Sequence, residues 1–402
     1  MEPSVIDNAA AGLRARRRDL AAVYGLMGLQ MRAIDAIDEV AALWRDPGYA
    51  GRGAAARDSG AFPIEMVDVS LQGLLPSLTA QKLRALVREE SPDLARAPEV
   101  IGHVLASNTP LLGWTTTLRA LLVGSASLVK LPSSAEAAWL RLLARSLNEV
   151  APEIAGLIDM LSWTGGNARL DRTLACSTDK LVVYGSDTTL EAYASFCDPD
   201  KLVGYGHMAS LGVVLRGAER GRAARGFARD ILMYDQGGCL SPHTIFVEGR
   251  FDDACDFCDA LGKSLGASDM PLVRDLRTAR RAARVREARE MARFEEGARL
   301  WEDERLRWTV ACIHSGGFRF SPTYGVVYVH PFVRDELELL LGSACGKLQG
   351  AGVASGRESD MNEVGKLLAK MGVSYTCCPG AMQSPPLQWR ENGKEVLCSL
   401  IN

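Results

Sequence analysis

Hydrophobic and polar positions along this chain follow two different rhythms, and the change falls near residue 98. Before it, apolar residues recur every three to four positions in LAAVYGLMGLQMRAIDAIDEVAALWRD and again in LTAQKLRALVREE, the spacing of one helix face. Between these stretches, DPGYAGRGAAARDSGAFP is dense in Gly and has no regular apolar face, so a loop is expected there. After residue 98, short β-branched runs predict strands at EVIGHVLASN, SASLVKLP, KLVVYGS, SLGVVLRG and HTIFVEGR. Helical stretches separate them: AEAAWLRLLARSLNEV, TTLEAYASF, RGRAARGFARDILMY and FDDACDFCDALGKSLG. Strands alternating with helices of about ten to fifteen residues predict a parallel α/β architecture. Residues 274–308 interrupt it with one long charged segment, RDLRTARRAARVREAREMARFEEGARLWEDERLRW. Its acids and bases interleave at i,i+4 spacing, so a solvated helix is expected rather than a nucleic-acid surface.

Composition adds exclusions. A chain of 402 residues that is 47% hydrophobic and 24% charged is ordinary globular protein of two or three domains, not a disordered one. The formal charge of −3 gives no reason to expect nucleic acid or an acidic membrane as partner. No apolar run approaches the ~20 residues of a bilayer span. The opening MEPSVIDNAAAGLRARRRDL has Arg14, Arg16, Arg17 and Arg18 without an apolar stretch after them, so no signal peptide is expected. Glu2, Asp7 and Asp19 argue against a mitochondrial presequence.

Ten cysteines in such a chain are expected to be reduced thiols in a cytoplasm. Cys255 and Cys258 form a C-x-x-C, and Cys377–Cys378 is a vicinal pair, so a four-sulfur zinc site is conceivable. Cys255, Cys258 and Leu261 share the inner face of one amphipathic helix, however, which favours buried thiols over a metal site.

Three segments carry candidate chemistry. In LVVYGSDTTLEAYASF a buried strand ends at Tyr184, turns at Gly185–Ser186 and enters a helix capped by Ser186 or Asp187. That turn exposes backbone N–H groups and the positive end of a helix, where phosphates bind. Only one glycine is present, so this is not the G-x-G-x-x-G fingerprint. In SASLVKLPSSAEAAWLRLL, Lys130 stands near a strand end, and Ser133 with Glu136 has capping-box spacing behind Pro132. Two such units in one sheet suggest a nucleotide crevice. In YDQGGCLSPHTIFVEG, Cys239 follows Gly237–Gly238 on a tight turn ahead of an apolar strand. Glycines there let backbone donors approach a reacting carbonyl, and a cysteine thiolate is a strong nucleophile that forms thioesters. Asp235 and Gln236 read as turn formers, and His243 as a strand-face histidine.

These segments, in this order, resemble the aldehyde dehydrogenase superfamily and in particular its LuxC-type acyl-CoA (fatty acid) reductases. Ser107-Asn108-Thr109-Pro110 is similar to the superfamily's Asn-Phe-Pro-like motif, Lys130 and Pro132 to its strand-lysine-proline motif, and Gly185-Ser186 to its pyrophosphate turn. DQGGCLSP looks like the nucleophile motif, KLQGAGVAS and GAMQSPPLQWRENGKEVLCSLI like the two closing motifs. The resemblance implies an aldehyde dehydrogenase-like α/β fold with a helical N-terminal extension. A Rossmann-like cofactor domain is expected over 1–210, a catalytic α/β domain carrying Cys239 over 211–375, and a tail over 376–402 that packs on the cofactor domain or forms an oligomer interface. It implies Cys239 as nucleophile, the Asn108 amide as oxyanion donor, and Thr109, Pro110, Lys130, Ser133, Gly185 and Ser186 as cofactor contacts.

Two departures bear on the reaction. Aldehyde-oxidising members carry a Glu-Leu-Gly-Gly segment whose Glu activates water, whereas Gly204-Tyr205-Gly206-His207 stands here; a thioester reductase requires that loss, and His207 is the nearest proton donor. The acidic residue that usually follows the lysine-proline motif is replaced by Ser133 and Ser134, which favours NADPH, with NADH the alternative. The implied activity is reduction of an acyl thioester, on CoA or an acyl-carrier protein, to the aldehyde by a homo-oligomeric enzyme that also receives acyl groups from a partner enzyme. Three other readings stay open: an aldehyde-oxidising dehydrogenase, a silent partner-binding member using 274–308, and a thiol acyltransferase using the same cysteine.

Overall fold

The computed structural model describes residues 1–58, 62–132, 136–271, 279–314 and 316–401, which form two compact units. The first comprises Met1–His207 with Pro386–Trp389 and Lys394–Asn402. It opens with four helices, α1 (Pro3–Arg45), α2 (Ala50–Asp58), α3 (Ile64–Leu74) and α4 (Ala80–Glu90). An alternating series follows: β1 (Val100–Val104), α5 (Leu112–Leu122), β2 (Ala126–Leu131), α6 (Glu136–Val150), α7 (Pro152–Ala155), β3 (Ile158–Ser162), α8 (Ala168–Ser177), β4 (Lys180–Tyr184), α9 (Asp187–Ala194) and β5 (Leu202–Tyr205). The five strands form one parallel sheet in the order β3-β2-β1-β4-β5. Strands β1, β2 and β4 are buried at every position, which explains their near-continuous apolar runs.

The helical periodicity of the first forty-five residues buries Ile6, Leu13, Ile34, Ile37 and Trp44 on one side of α1. Arg14, Arg17 and Arg18 converge on Glu99 at the entry to β1, which pins the basic opening of the chain to the sheet. Two expectations need correction. Among the described residues α1 is the one helix long and apolar enough to cross a membrane by length and composition. A third of its most apolar stretch is buried inside the protein, and Gly25 (φ 70°) breaks the helix. The second correction is α2, which stands where a loop was expected. AGRGAAARD has a run of alanines that outweighs two glycines, and Arg52 secures the helix through Trp44 O (2.8 Å) and Asp68 (2.7 Å).

Strand β1 also carries His103, fully buried, with Nδ1 2.9 Å from Thr116 Oγ1 and Nε2 3.2 Å from Ser127 Oγ. Burial drives its imidazole down to about 3, so the native state holds it neutral. Below an unfolded value of about 6.5, the unfolded chain binds a proton that the native state refuses, and stability is lost as pH falls. Relative to a His103→Gln variant, the wild type is therefore expected to lose about 2 kcal/mol more between pH 8 and pH 5 in urea titrations. Parallel pH profiles for the two proteins would contradict this.

The second unit comprises Met208–Pro385 and Arg390–Gly393. Its elements are β6 (Ala209–Val214), α10 (Arg220–Leu232), β7 (Pro242–Glu248), α11 (Phe251–Gly266), α12 (Ala279–Arg293), β8 (Arg299–Glu302), β9 (Thr309–Cys312), β10 (Val326–Phe332), α13 (Leu337–Leu341), β11 (Leu348–Ala354), α14 (Glu358–Lys370) and β12 (Tyr375–Cys377). Seven strands pair in the order β12-β11-β6-β7-β10-β9-β8, parallel except for β8 against β9. Apolar side chains of α10 and α11, including Phe227, Phe257 and Leu261, cover one face of this sheet.

The charged segment 274–308 departs from expectation. Residues 274–278 lie outside the described residues, the helix ends at Arg293, and 299–302 form the antiparallel strand β8. Nor is the helix simply solvated, because Arg281, Val285 and Arg289, four residues apart, form a buried stripe. Arg289 donates to Thr309 Oγ1, Asp303 O and Trp308 O, so its guanidinium is spent on the approach to β9 rather than on solvent.

Candidate active site

The strand order of the first sheet reverses between β1 and β4, and in such sheets ligands bind outside the carboxyl ends of the strands at that point. The described cofactor and oxyanion candidates of this unit all stand at that edge. Asn108 is exposed in the turn after β1, with Thr109 and Pro110 leading into α5. Lys130 is the penultimate residue of β2 and lies opposite Val104 of β1. Gly185 and Ser186 follow β4, and His207 follows β5. Ser133 lies outside the described residues.

Local chemistry explains several of these placements. A Cβ on Gly185 would come within 2.8 Å of the Thr189 side chain, so only glycine lets α9 start this close to the strand. Ser186 is the N-cap, its Oγ accepting the Thr189 N–H at 3.3 Å. Asp187 turns its carboxylate back to accept the His207 N–H at 3.1 Å. Lys130 is buried with Nζ 5.5 Å from the Trp163 ring centroid, and Trp163 donates to Asp171. Burial lowers the Lys130 ammonium from its ordinary value, and the Asp171 charge opposes the fall. The segment 204–207 contains no carboxylate. Instead Tyr205 stacks on Tyr184 at 4.5 Å, under Lys394, whose Nζ also donates to Gly204 O at 3.2 Å.

In the second unit Cys239 stands at the amino end of β7, on the turn joining it to α10. A short turn, Met233–Gln236, precedes it, and Tyr234, Asp235 and Gln236 all have positive φ. Each such non-glycine residue costs about 1–3 kcal/mol of backbone strain. Gly238 has no room for a side chain, since a Cβ there would lie 2.6 Å from Gln383 Oε1. Ser210 of β6 donates to Cys239 O at 2.8 Å and fixes the carbonyl. Burial pushes the half-buried Cys239 thiol up to about 12, and the Glu391 charge adds to the rise. The N–H groups of Cys239 and Leu240 oppose it by hydrogen bonding to the sulfur. Two backbone amides that stabilise the charged sulfur also suit an oxyanion formed beside it.

Sequence reasoning missed three partners here. Asp235 and Gln236 are buried and engaged rather than simple turn formers: Gln236 Nε2 donates to Pro242 O and Val326 O, both at 2.8 Å, and Asp235 pairs with Arg281 at 2.8 Å. Burial raises the Asp235 carboxyl to about 6 while Arg281 draws it down. Glu391 was the third, and nothing in its local pattern marks it. Removing its charge relieves the Cys239 thiolate, so Glu391→Gln is expected to speed iodoacetamide alkylation of Cys239 about threefold or more at pH 8. An unchanged rate at that pH would remove Glu391 from the site. Elsewhere, Cys255 and Cys258 are buried on α11 as expected, joined by Cys312 of β9, whose sulfur lies 4.0 Å from that of Cys255.

The family model described as acyl-CoA reductase (LuxC) matches residues 81–400. The chain belongs to that acyl-CoA reductase family. Among curated relatives of this LuxC-type chain, a long-chain acyl-protein thioester reductase from Aliivibrio fischeri is 24% identical over 242 residues, covering 59% of this chain and 50% of the relative. One of the same description from Vibrio harveyi is 30% identical over 152 residues, covering 37% of this chain and 31% of the relative. The chain thus spans half or less of these curated relatives. Its fold is that of aldehyde dehydrogenases. An NAD-dependent benzaldehyde dehydrogenase from Corynebacterium glutamicum superposes with a TM-score of 0.71 at 16% identity, over 94% of this chain and 86% of that one. A glyceraldehyde-3-phosphate dehydrogenase from Methanocaldococcus jannaschii, complexed with NADP, gives 0.69 at 14% identity, over 95% and 87%.

Proposed function

We propose that this LuxC-family chain reduces a long-chain acyl thioester, on CoA or a carrier protein, to the aldehyde through an acyl group carried on Cys239. The observation that carries the reading is the Cys239 thiol on a glycine turn, with its own carbonyl fixed by Ser210, in a chain of the acyl-CoA reductase family. The names of the relatives support a long acyl chain, and the donor differs only in what leaves. Cys239 sulfur attacks the thioester carbonyl, its proton departs with the leaving thiol, and the exchange is nearly balanced in energy. The N–H groups of Cys239 and Leu240 are the donors for the developing oxyanion, and a part for the Asn108 side-chain amide rests on the resemblance alone. Losing one such donor costs about 3 kcal/mol of barrier, roughly a hundredfold in rate.

The residues of the first unit fit a dinucleotide on one observation: β4 ends at a glycine that no side chain can replace, beside the exposed amino end of α9 at the switch point. A reduced nicotinamide, when bound there, would supply the hydride to the acyl carbon, and the C–S bond would break to free the aldehyde and return the Cys239 sulfur to a thiol. Ser133 and Ser134, where a ribose-binding acid would repel a 2′-phosphate, support NADPH. We assign His207, which follows β5 in the same unit, the exchange of a proton during the reduction. Segment 204–207 lacks the carboxylate that would activate water, so the acyl group survives until it is reduced. All ten cysteines are free thiols, which supports a reducing compartment such as the cytoplasm.

The test is intact-protein mass spectrometry after incubation with tetradecanoyl-CoA, first without and then with NADPH. One tetradecanoyl adduct at Cys239, discharged as tetradecanal, is expected. Release of tetradecanoic acid instead would favour the hydrolytic dehydrogenase reading.

A further inference from the structure

Tyr234, Asp235 and Gln236 have φ of 54°, 55° and 63°, and all three are buried. They make the last turn before Gly237-Gly238-Cys239, so what holds this turn sets where the nucleophile emerges. A left-handed turn of residues with side chains persists only where surrounding contacts over-determine it. Those contacts are on hand. Asp235 O accepts the Tyr324 N–H at 3.1 Å, the Gln236 side chain spans Pro242 O and Val326 O, and Arg281 donates to Asp235 Oδ2 at 2.8 Å. The Arg281 guanidinium also lies over the Tyr324 ring, 5.7 Å from its centroid, and Tyr324 is itself left-handed at φ 59°. One side chain from α12 thus braces two left-handed segments that touch each other.

We infer that Arg281 is a positioning residue for Cys239: by clamping Asp235 and covering Tyr324 it fixes the strained turn that presents the thiol to its acyl donor. The inference rests on Cys239 being the nucleophile. Stability alone is a poor reason for this pair, because desolvating two charges cancels most of their attraction and apolar residues of equal volume pack as well. An ion pair adds direction. Asp235 cannot leave its left-handed conformation without stranding two charges in the core, so the turn has one state. This gives the charged segment a task that its sequence pattern conceals: the exposed face of α12 carries the solvated charges, and the buried stripe carries the brace.

The test compares wild type with Arg281→Met, with Asp235→Asn/Arg281→Met, which leaves no charge unpaired, and with Arg281→Lys, which keeps the charge but loses the planar fork. Three quantities are read: the single-turnover rate of Cys239 acylation by tetradecanoyl-CoA, the Tm, and the KM for NADPH. The double variant is expected to recover the Tm that Arg281→Met loses, yet to acylate at least tenfold slower than wild type, with KM for NADPH within twofold. Arg281→Lys, the variant surest to fold, should slow acylation at least threefold. Wild-type acylation rates in the folded double variant, or in Arg281→Lys if the double variant does not fold, overturn the inference. If wild-type Cys239 takes up no tetradecanoyl group from either tetradecanoyl-CoA or tetradecanoyl-carrier protein, the nucleophile assignment fails and the inference with it, an outcome distinct from equal rates.

Discussion

Cys239→Ala is expected to abolish the acyl adduct and cut aldehyde formation by about 10^4-fold or more, while the protein stays folded and binds its cofactor. The size of the loss follows from the proposed chemistry, since no neighbouring sulfur can take over. Cys255, Cys258 and Cys312 are sealed in the core beneath α11, and burial raises the first two thiols further. Cys176, Cys345 and Cys378 are exposed and stand on other segments than the glycine turn that holds Cys239. Alanine at 239 removes little volume and leaves Gly237-Gly238 and the Ser210 bond to the residue-239 carbonyl unchanged, so folding is spared. The measurement pairs intact mass with consumption of NADPH. Aldehyde formation persisting within tenfold of wild type would sink the nucleophile assignment.

The fold was legible because its strands are buried on both faces and therefore read as unbroken apolar runs between amphipathic helices. Strands β1, β2 and β4 fall within runs that the sequence singles out, and β6 and β7 each begin one residue before theirs. What escaped was structure made by tertiary contact. Strand β8 has exposed ends and exists because β9 offers it an antiparallel edge. Helix α2 is too short and too glycine-rich to announce itself, and is held by Arg52. The site divides in the same way. Turn residues that need no side chain, Gly185 and Gly238, are visible as glycines between a strand and a helix, and Cys239 is visible as the residue after Gly238. Arg281 and Glu391 are not, because a charged residue in a charged stretch reads as solvated whichever way it faces. Only the fold shows that an arginine eight positions from another on the same helix points inward with it.

Phe227→Ala is expected to lower the unfolding free energy by about 3–5 kcal/mol, because its ring occupies space that the sheet has cleared for it. Phe227 is fully buried on α10 and meets Phe257 of α11 edge-on at 6.2 Å. Strand β6 places Gly212 beneath the ring and β11 places Gly352 there, and a Cβ on either would fall 2.7 or 2.8 Å from it. With the ring gone, neither glycine has atoms to fill the void, so the cavity cannot close without moving the helix. Helix α10 runs directly into the Met233–Gln236 turn, and Cys239 acylation should therefore slow together with the loss of stability. A double-mutant cycle isolates the packing. Gly212→Ala should destabilise the wild type by crowding both the ring and Ile245, whose Cγ1 would lie 2.8 Å from the new methyl, and should cost clearly less in Phe227→Ala, where only Ile245 still stands against it. Urea titrations of the four proteins check this. Additive effects of the two substitutions would mean that the glycine and the ring are not packed against each other.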